Sequence, residues 1–234
     1  MARRTDSTRT YPLSRDEIVG KALEVIDADG LPALSMRSLG AALGVEGMAL
    51  YRHVSGREDL LEGVVQQVLD GVLQSLDPEL TATWQGYLQS LAHAVRDVAV
   101  THPRVFPLMA TRHPAAAWLR PPLRSLAVVE HFLDTLDRLG FEDEQIATTY
   151  QAFTSFLLGH LLLESLQRGA PGGPADEPLD EGEATVPNAD GRTDVDRFPA
   201  VVRLRPLLSR DTADQHFEMA LEMLIDRLEM TRSQ

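Results

Sequence analysis

Between Leu34 and Leu61 the chain reads LSMRSLGAALGVEGMALYRHVSGREDLL, and Arg37, Tyr51, Arg52, His53 and Arg57 are the side chains there with chemistry to offer. A guanidinium pairs with phosphate oxygens or with the acceptor edge of guanine, and a phenol or imidazole gives one directed hydrogen bond. Singly, each is an ordinary solvated side chain. Their spacing is what raises them. Leu39, Ala42, Leu43, Val45 and Leu50 are small or apolar where two short helices would cross, and Gly44 stands where the chain must turn. Tyr51, Arg52 and His53 then follow on the outward side of the second helix. That combination has the form of a helix-turn-helix, which reads duplex DNA through its second helix. Tyr51 is equally readable as a core aromatic with its hydroxyl at the surface, and His53 as a ring that packs beside it.

Stepping outward, capping signals delimit the elements that must hold these residues. Ser14 opens SRDE, a capping box, and Ile18, Ala22, Leu23, Val25 and Ile26 repeat at helical spacing until Gly30 and Pro32 stop the helix. Ser35 caps a second short helix ending at Gly44, Met48 to His53 reads as a third, and SGRE from Ser55 reads as a second capping box before Leu60, Leu61, Val64, Val65, Val68 and Leu69. The domain expectation is a polar, disordered arm over 1–13, a DNA-binding head over 14–60 and a larger helical domain over 61–234. In the last, long helices are expected at 80–100, 123–139, 142–168 and 216–230, with a proline-interrupted stretch at 104–122 and a flexible Gly/Pro/acid-rich loop at 169–194. No segment alternates with period two, so the fold class is all-α.

Charge and composition narrow the function classes. The net charge of −13 (22 basic against 35 acidic residues) argues at first against nucleic acid. Residues 1–60, however, hold 8 basic against 9 acidic residues, and the acids cluster between Asp16 and Asp29. Arg3, Arg4, Arg9, Arg37, Arg52 and Arg57 are thereby left to form a basic face, with the first three on an arm that reads as a groove-entering segment or as a plain tail. The sequence has no cysteine, which removes disulfides, thiolate metal sites and cysteine nucleophiles and fits a reducing cytoplasm. No apolar run approaches the ~20 residues of a membrane span, and MARRTDSTRTYPLS lacks the apolar block of a secretory signal. A metal-dependent hydrolase built from His102, His113 or His160 with Glu130 or Glu164 is the rival class. The sequence has no HExxH, paired ExxH, GxSxG or phosphate-cradling glycine loop, so neither enzyme activity nor cofactor nor metal is expected.

The run LGVEGMALYRHVSGREDLL resembles the DNA-binding signature of the tetracycline-repressor family, in which LGV, LY and a following H or F recur at this spacing. The match covers roughly residues 14–65, and Thr111–Arg112 with the closing FEMALEMLIDRLE are similar to that family's sensor domain. The resemblance implies that Arg37 reaches a base edge, that Tyr51 and His53 bond to phosphates, and that Arg57 is a phosphate clamp at a helix start. Glu46, Gly47, Met48 and Ala49 fall at the variable start of the recognition helix, and, Glu46 apart, their small or apolar surface implies thymine-methyl contacts or shape readout. A head of this size implies a homodimer, with Ala147–Leu166 and Phe217–Leu228 as candidate contacts between copies. It also implies operator DNA as partner and a small-molecule inducer that releases it, with a DNA-binding protein that answers to no ligand as the alternative. Trp84, Phe106, Met109, Arg112, His113, Trp118, Phe132, Tyr150, Phe153 and His160 are the candidate pocket. The family's namesake binds its drug with magnesium through a histidine shortly before the TR pair. Here FPLMATRHP has Leu108 and Met109 at that place and His113 after the pair, so the inducer is left open.

Overall fold

The computed structural model describes residues 13–168, 170, 197–210 and 212–232; nearly all of the expected arm at 1–13 and of the loop at 169–194 lies outside them. Among the described residues there is no strand. The helices are α1 (Arg15–Asp29), α2 (Met36–Leu43), α3 (Gly47–Leu50), α4 (Arg57–Ser75), α5 (Trp84–Thr101), α6 (Phe106–Met109), α7 (Leu126–Arg138), α8 (Asp143–Gln167), α9 (Pro199–Leu208) and α10 (Ala213–Arg232). The chain is all-α.

The head forms where local signals agree. The Ser14 hydroxyl accepts the Glu17 amide at 3.2 Å to start α1, and Gly30, at φ 82°, ends it. At the start of α2, Ser35 and Ser38 cap each other: the Ser38 amide donates to Ser35 Oγ at 3.0 Å and the Ser35 amide to Ser38 Oγ at 2.9 Å. Gly44, left-handed at φ 70°, closes α2 while the Val45 amide reaches back to the Gly40 carbonyl at 2.9 Å, a Schellman ending. The crossing of α2 and α3 is closer than Leu39 and Leu50 alone would set. A β-carbon on Gly40 would lie 2.8 Å from the Gly47 amide nitrogen, and one on Gly47 would lie 2.8 Å from the Met36 carbonyl oxygen. Two glycines let the backbones touch there.

Several boundaries differ from the sequence expectation, each for a local reason. The third helix is Gly47–Leu50, not Met48–His53, because the chain tightens: the His53 amide bonds the Leu50 carbonyl at 2.9 Å, an i−3 pairing that turns Tyr51, Arg52 and His53 out of the helix. Ser55 is not the cap of α4. Gly56 holds that position, and the Asp59 carboxylate accepts the Ser55 amide at 2.7 Å. The expected helix at 80–100 begins only at Trp84, since Thr83 Oγ1 accepts the Gly86 amide at 3.1 Å and Leu80–Ala82 form a separate 3₁₀ turn. Likewise α7 starts after its Ser125 cap rather than at Leu123. Helix α9 was not expected: it contains Pro206, which a sequence reading takes as a helix breaker, and none of its residues is buried.

The larger domain packs α5, α7, α8 and α10 around Tyr87, Phe106, Phe153 and Phe217, all fully buried. Helix α4 carries its apolar stripe, Leu60, Leu61, Val64, Val65, Val68 and Leu69, from the head into this core. The expected division at 60/61 therefore falls inside one continuous helix.

Candidate nucleic-acid interface and ligand cavity

The exposed edge of the head is built from α2 and α3. Leu50 is fully buried while Met48 is 75 % and Tyr51 48 % exposed, so α3 anchors one side and shows the other. The contact of Gly47 with Met36 and Arg37 backbone brings exposed Arg37 to the start of α3. Glu46 and Arg52 are exposed and Ala49 and His53 half-buried around it; Gly47 itself faces α2. Arg57, exposed on the first turn of α4, donates to the Leu31 carbonyl at 3.4 Å.

The turn that carries Tyr51 to His53 is held from α1. Arg15 donates to the His53 carbonyl at 3.4 Å and to Asp59 Oδ1 at 2.7 Å, while Asp59 Oδ2 takes the Ser55 amide. The hydrogen bond from Arg15, followed by that from the Ser55 amide, holds the Asp59 carboxyl below its ordinary range. This bridge fixes the recognition turn to α1 and α4 at once.

Two further contacts fasten the head to the larger domain. Arg124, 7 % exposed, donates to Glu58 Oε2 at 2.9 Å and Glu62 Oε2 at 3.2 Å on α4, and to Thr111 Oγ1 at 3.3 Å; its own amide donates to the Met109 carbonyl at 3.0 Å. At the other end of the head, His102 Nδ1 lies 2.7 Å from Asp27 Oδ2, and Arg104 donates to the Asp27 carbonyl at 3.1 Å and to that of Ala28. Those carbonyls belong to the last turn of α1, which has no helical partners for them.

An enclosed, almost wholly apolar hollow lies among α4, α5, α6, α7 and α8, with a free volume of about 40 Å³. Five of the ten residues proposed for a pocket line it: Phe106, Met109, Phe132, Tyr150 and Phe153. Phe132 stacks on Phe153 at 5.6 Å and meets Tyr150 edge-on at 5.8 Å. The Tyr150 hydroxyl donates to the Pro121 carbonyl at 3.0 Å, and burial pushes its pKa up to about 12. The other five lie elsewhere. Trp84 packs edge-on against Phe141 at 5.6 Å, Arg112 is exposed, and Trp118 is 76 % exposed. His113 turns to Glu62, 3.6 Å away, and accepts the Ala115 amide. His160 meets Phe217 edge-on at 5.3 Å beside a surface cleft shared with Glu164 and His216. The wall residues that sequence reasoning missed, Leu69, Leu91, Leu123, Val129, Thr154 and Leu157 among them, are mostly aliphatic. At helical spacing an aliphatic side chain reads the same whether it fills a core or faces a hollow.

The residues of the rival hydrolase are scattered. His102 sits on Asp27 and His113 on Glu62, and Glu164 is buried in bonds from Arg96 at 2.9 and 3.0 Å and Arg168 at 3.1 Å. Among the described residues no three His, Asp or Glu side chains are grouped to hold a metal ion. None of the described helices is long and apolar enough to cross a membrane.

The sequence profile described as "Tetracyclin repressor-like, C-terminal domain" matches residues 77–232. An HTH-type transcriptional regulator of Saccharopolyspora erythraea is 30 % identical over 162 residues, which span 69 % of this chain and 65 % of the relative, just under two thirds of its length. A structure from Streptomyces coelicolor A3(2), called a possible TetR family transcriptional regulator, superposes with a TM-score of 0.69 at 29 % identity, over 94 % of this chain and 100 % of that one. The TetR family protein ActR of Streptomyces coelicolor, in complex with actinorhodin, superposes with a TM-score of 0.67 at 27 % identity, over 96 % of this chain and 100 % of its own.

Proposed function

This chain belongs to the tetracycline-repressor family, and from that premise we propose that it is a transcriptional repressor which releases a two-fold DNA site when a small molecule enters its cavity. The observation that supports this reading above the rest is the position of Arg124. One guanidinium, next in sequence to the cavity-wall residue Leu123, bonds to Glu58 and Glu62 on the helix that begins at Arg57. A change in the cavity wall thus has a short path to the head.

In this reading Arg37 contacts a base edge, Tyr51 and His53 contact phosphates, Arg57 clamps a phosphate with the amides of the α4 start beside it, and Met48 packs on base methyl groups. The function needs two copies, because one helix-turn-helix covers one half-site and two are set about one DNA turn, ~34 Å, apart. Helices α8 and α10 supply apolar surface for the second copy: Leu163 is 65 %, Met219 53 % and Met223 64 % exposed. The relatives are transcriptional regulators, and one of the similar structures holds a small molecule, actinorhodin. Residues 14–60 act as the head and 61–234 as the sensor and dimerisation domain, with α4 shared. The protein works in the cytoplasm, where its DNA is, and needs neither metal nor cofactor to bind it.

Footprinting the purified protein on the DNA upstream of its own gene tests the reading. A protected two-fold repeat, lost in Tyr51→Ala or Arg57→Ala, is the expected result. A monomer that ignores duplex DNA at low salt would refute it.

A further inference from the structure

We infer that the cavity among α4 to α8 takes an uncharged, largely apolar ligand bearing an aromatic ring, and takes it without a metal ion. This inference rests on the reading of the chain as a ligand-released repressor and names the chemical class of that ligand.

Among the described residues no Asp, Glu, His, Lys or Arg lines the cavity, and its polar side chains there are Tyr150 and Thr154. The Tyr150 proton is committed to the Pro121 carbonyl, and its oxygen faces the Thr154 hydroxyl, so the two polar groups of the wall largely satisfy each other and the backbone. A carboxylate, sulfonate or ammonium placed there would lose its hydration and meet no opposite charge. Arg124 is next in sequence to wall residue Leu123, and its guanidinium is taken by Glu58, Glu62 and Thr111. A ligand carried with a divalent ion requires carboxylate or imidazole donors from the protein, and this wall offers two hydroxyls. What the wall does offer is ring surface. Phe132 stands between the face of Phe153 and the edge of Tyr150, an arrangement that accepts a further ring face to face or edge to face.

The free volume of about 40 Å³ is close to that of one water molecule and smaller than any aromatic ring. Entry must therefore displace wall, and Phe106 and Met109, on the four-residue α6, and Leu123, in the loop before α7, are the wall residues outside the long helices. Met109 is joined through its carbonyl to the Arg124 amide. A ligand of this class acts on the head by its bulk.

The test uses a matched pair of probes, N-phenyl-1-naphthylamine and its sulfonate, 1-anilinonaphthalene-8-sulfonate, on the full-length protein. The neutral probe should bind at least tenfold more tightly, unchanged by EDTA and undisplaced by magnesium-tetracycline. Val129→Phe, which overfills the cavity, should weaken it at least tenfold in a protein that still folds with unchanged helix content, at a lowered thermal midpoint. If that variant does not fold, Leu123→Trp should show energy transfer to the bound probe. Tighter or equal binding of the sulfonate, a metal requirement, or a signal blind to both variants would overturn the ligand class. Adding the upstream DNA separates the two readings. A neutral probe held as described by a protein that never binds that DNA keeps the ligand class and removes the repressor reading. DNA release by a charged or metal-bound compound that displaces the probe keeps the repressor reading and removes the ligand class.

Discussion

Gly47 shows how a single residue sets the recognition geometry. It opens α3, and its α-carbon faces α2, where an added methyl would press on the Met36 carbonyl at 2.8 Å. Backbone cannot yield as a side-chain tip does, so Gly47→Ala should cost about 1–3 kcal/mol and tilt α3 from its seat. A lowered thermal midpoint with weakened duplex binding is the expected outcome; a variant that melts and binds like the parent would remove the packing role. Asp59 sets a second condition. Its carboxyl is held below the ordinary value of 3.8 by Arg15 and the Ser55 amide. That stabilisation is complete above 3.8 and is lost as pH falls through the depressed value. Both partners are partly solvated, so Asp59→Asn should cost about 1 kcal/mol at neutral pH. Thermal melts from pH 6 to pH 2 should show the difference between parent and variant closing below pH 4.

At the scale of elements, α4 links the molecule's two parts. Its first turns hold exposed Arg57 and bring Glu58 and Glu62 to Arg124, and its later turns place Val68 and Leu69 in the larger core. Removing the Arg124 cation leaves Glu58 and Glu62 room to resolvate, as their side chains are 74 % and 36 % exposed. Arg124→Gln should therefore fold and bind DNA but transmit poorly. Coupling between sites is worth about 1–3 kcal/mol, or 5–150-fold in affinity. In this variant the change in neutral-probe affinity on adding duplex DNA should shrink to about threefold or less, a residual of about 0.6 kcal/mol. Undiminished coupling in a fluorescence titration would route the signal elsewhere, with the His102–Asp27 contact the next structure to test.

At the scale of the whole molecule, acidity and DNA binding are reconciled by segregation. The larger domain carries the negative charge and the head shows Arg37, Arg52 and Arg57. Two heads then raise affinity by avidity, which links can contribute at about 10²–10⁴-fold. Met223 and Leu163 stand on the outer surface of α10 and α8. Met223→Asp should yield a monomer by sedimentation and lose about a hundredfold in DNA affinity, with helix content intact. A variant still dimeric would move the contact off α10.

The head was legible in the amino-acid order because its determinants are local: Ser14, Ser35 and Gly44 act on amides and carbonyls within a few residues of themselves, and Leu39, Leu43 and Leu50 repeat at contact spacing. The all-helical class and the placement of α8 and α10 follow from the same short-range periods. Tertiary structure alone decided what depends on distant chain meeting. It sent Trp84, Arg112, His113, Trp118 and His160 away from the cavity that Phe106, Met109, Phe132, Tyr150 and Phe153 share, because which side of a buried helix faces a hollow is set by its neighbours. It also brought Arg124 to Glu58, 66 residues away in the chain, and Arg15 to Asp59, 44 residues away, whose other carboxylate oxygen takes the Ser55 amide. An ion pair of that separation has no signature in spacing, since its geometry exists only after the core has closed.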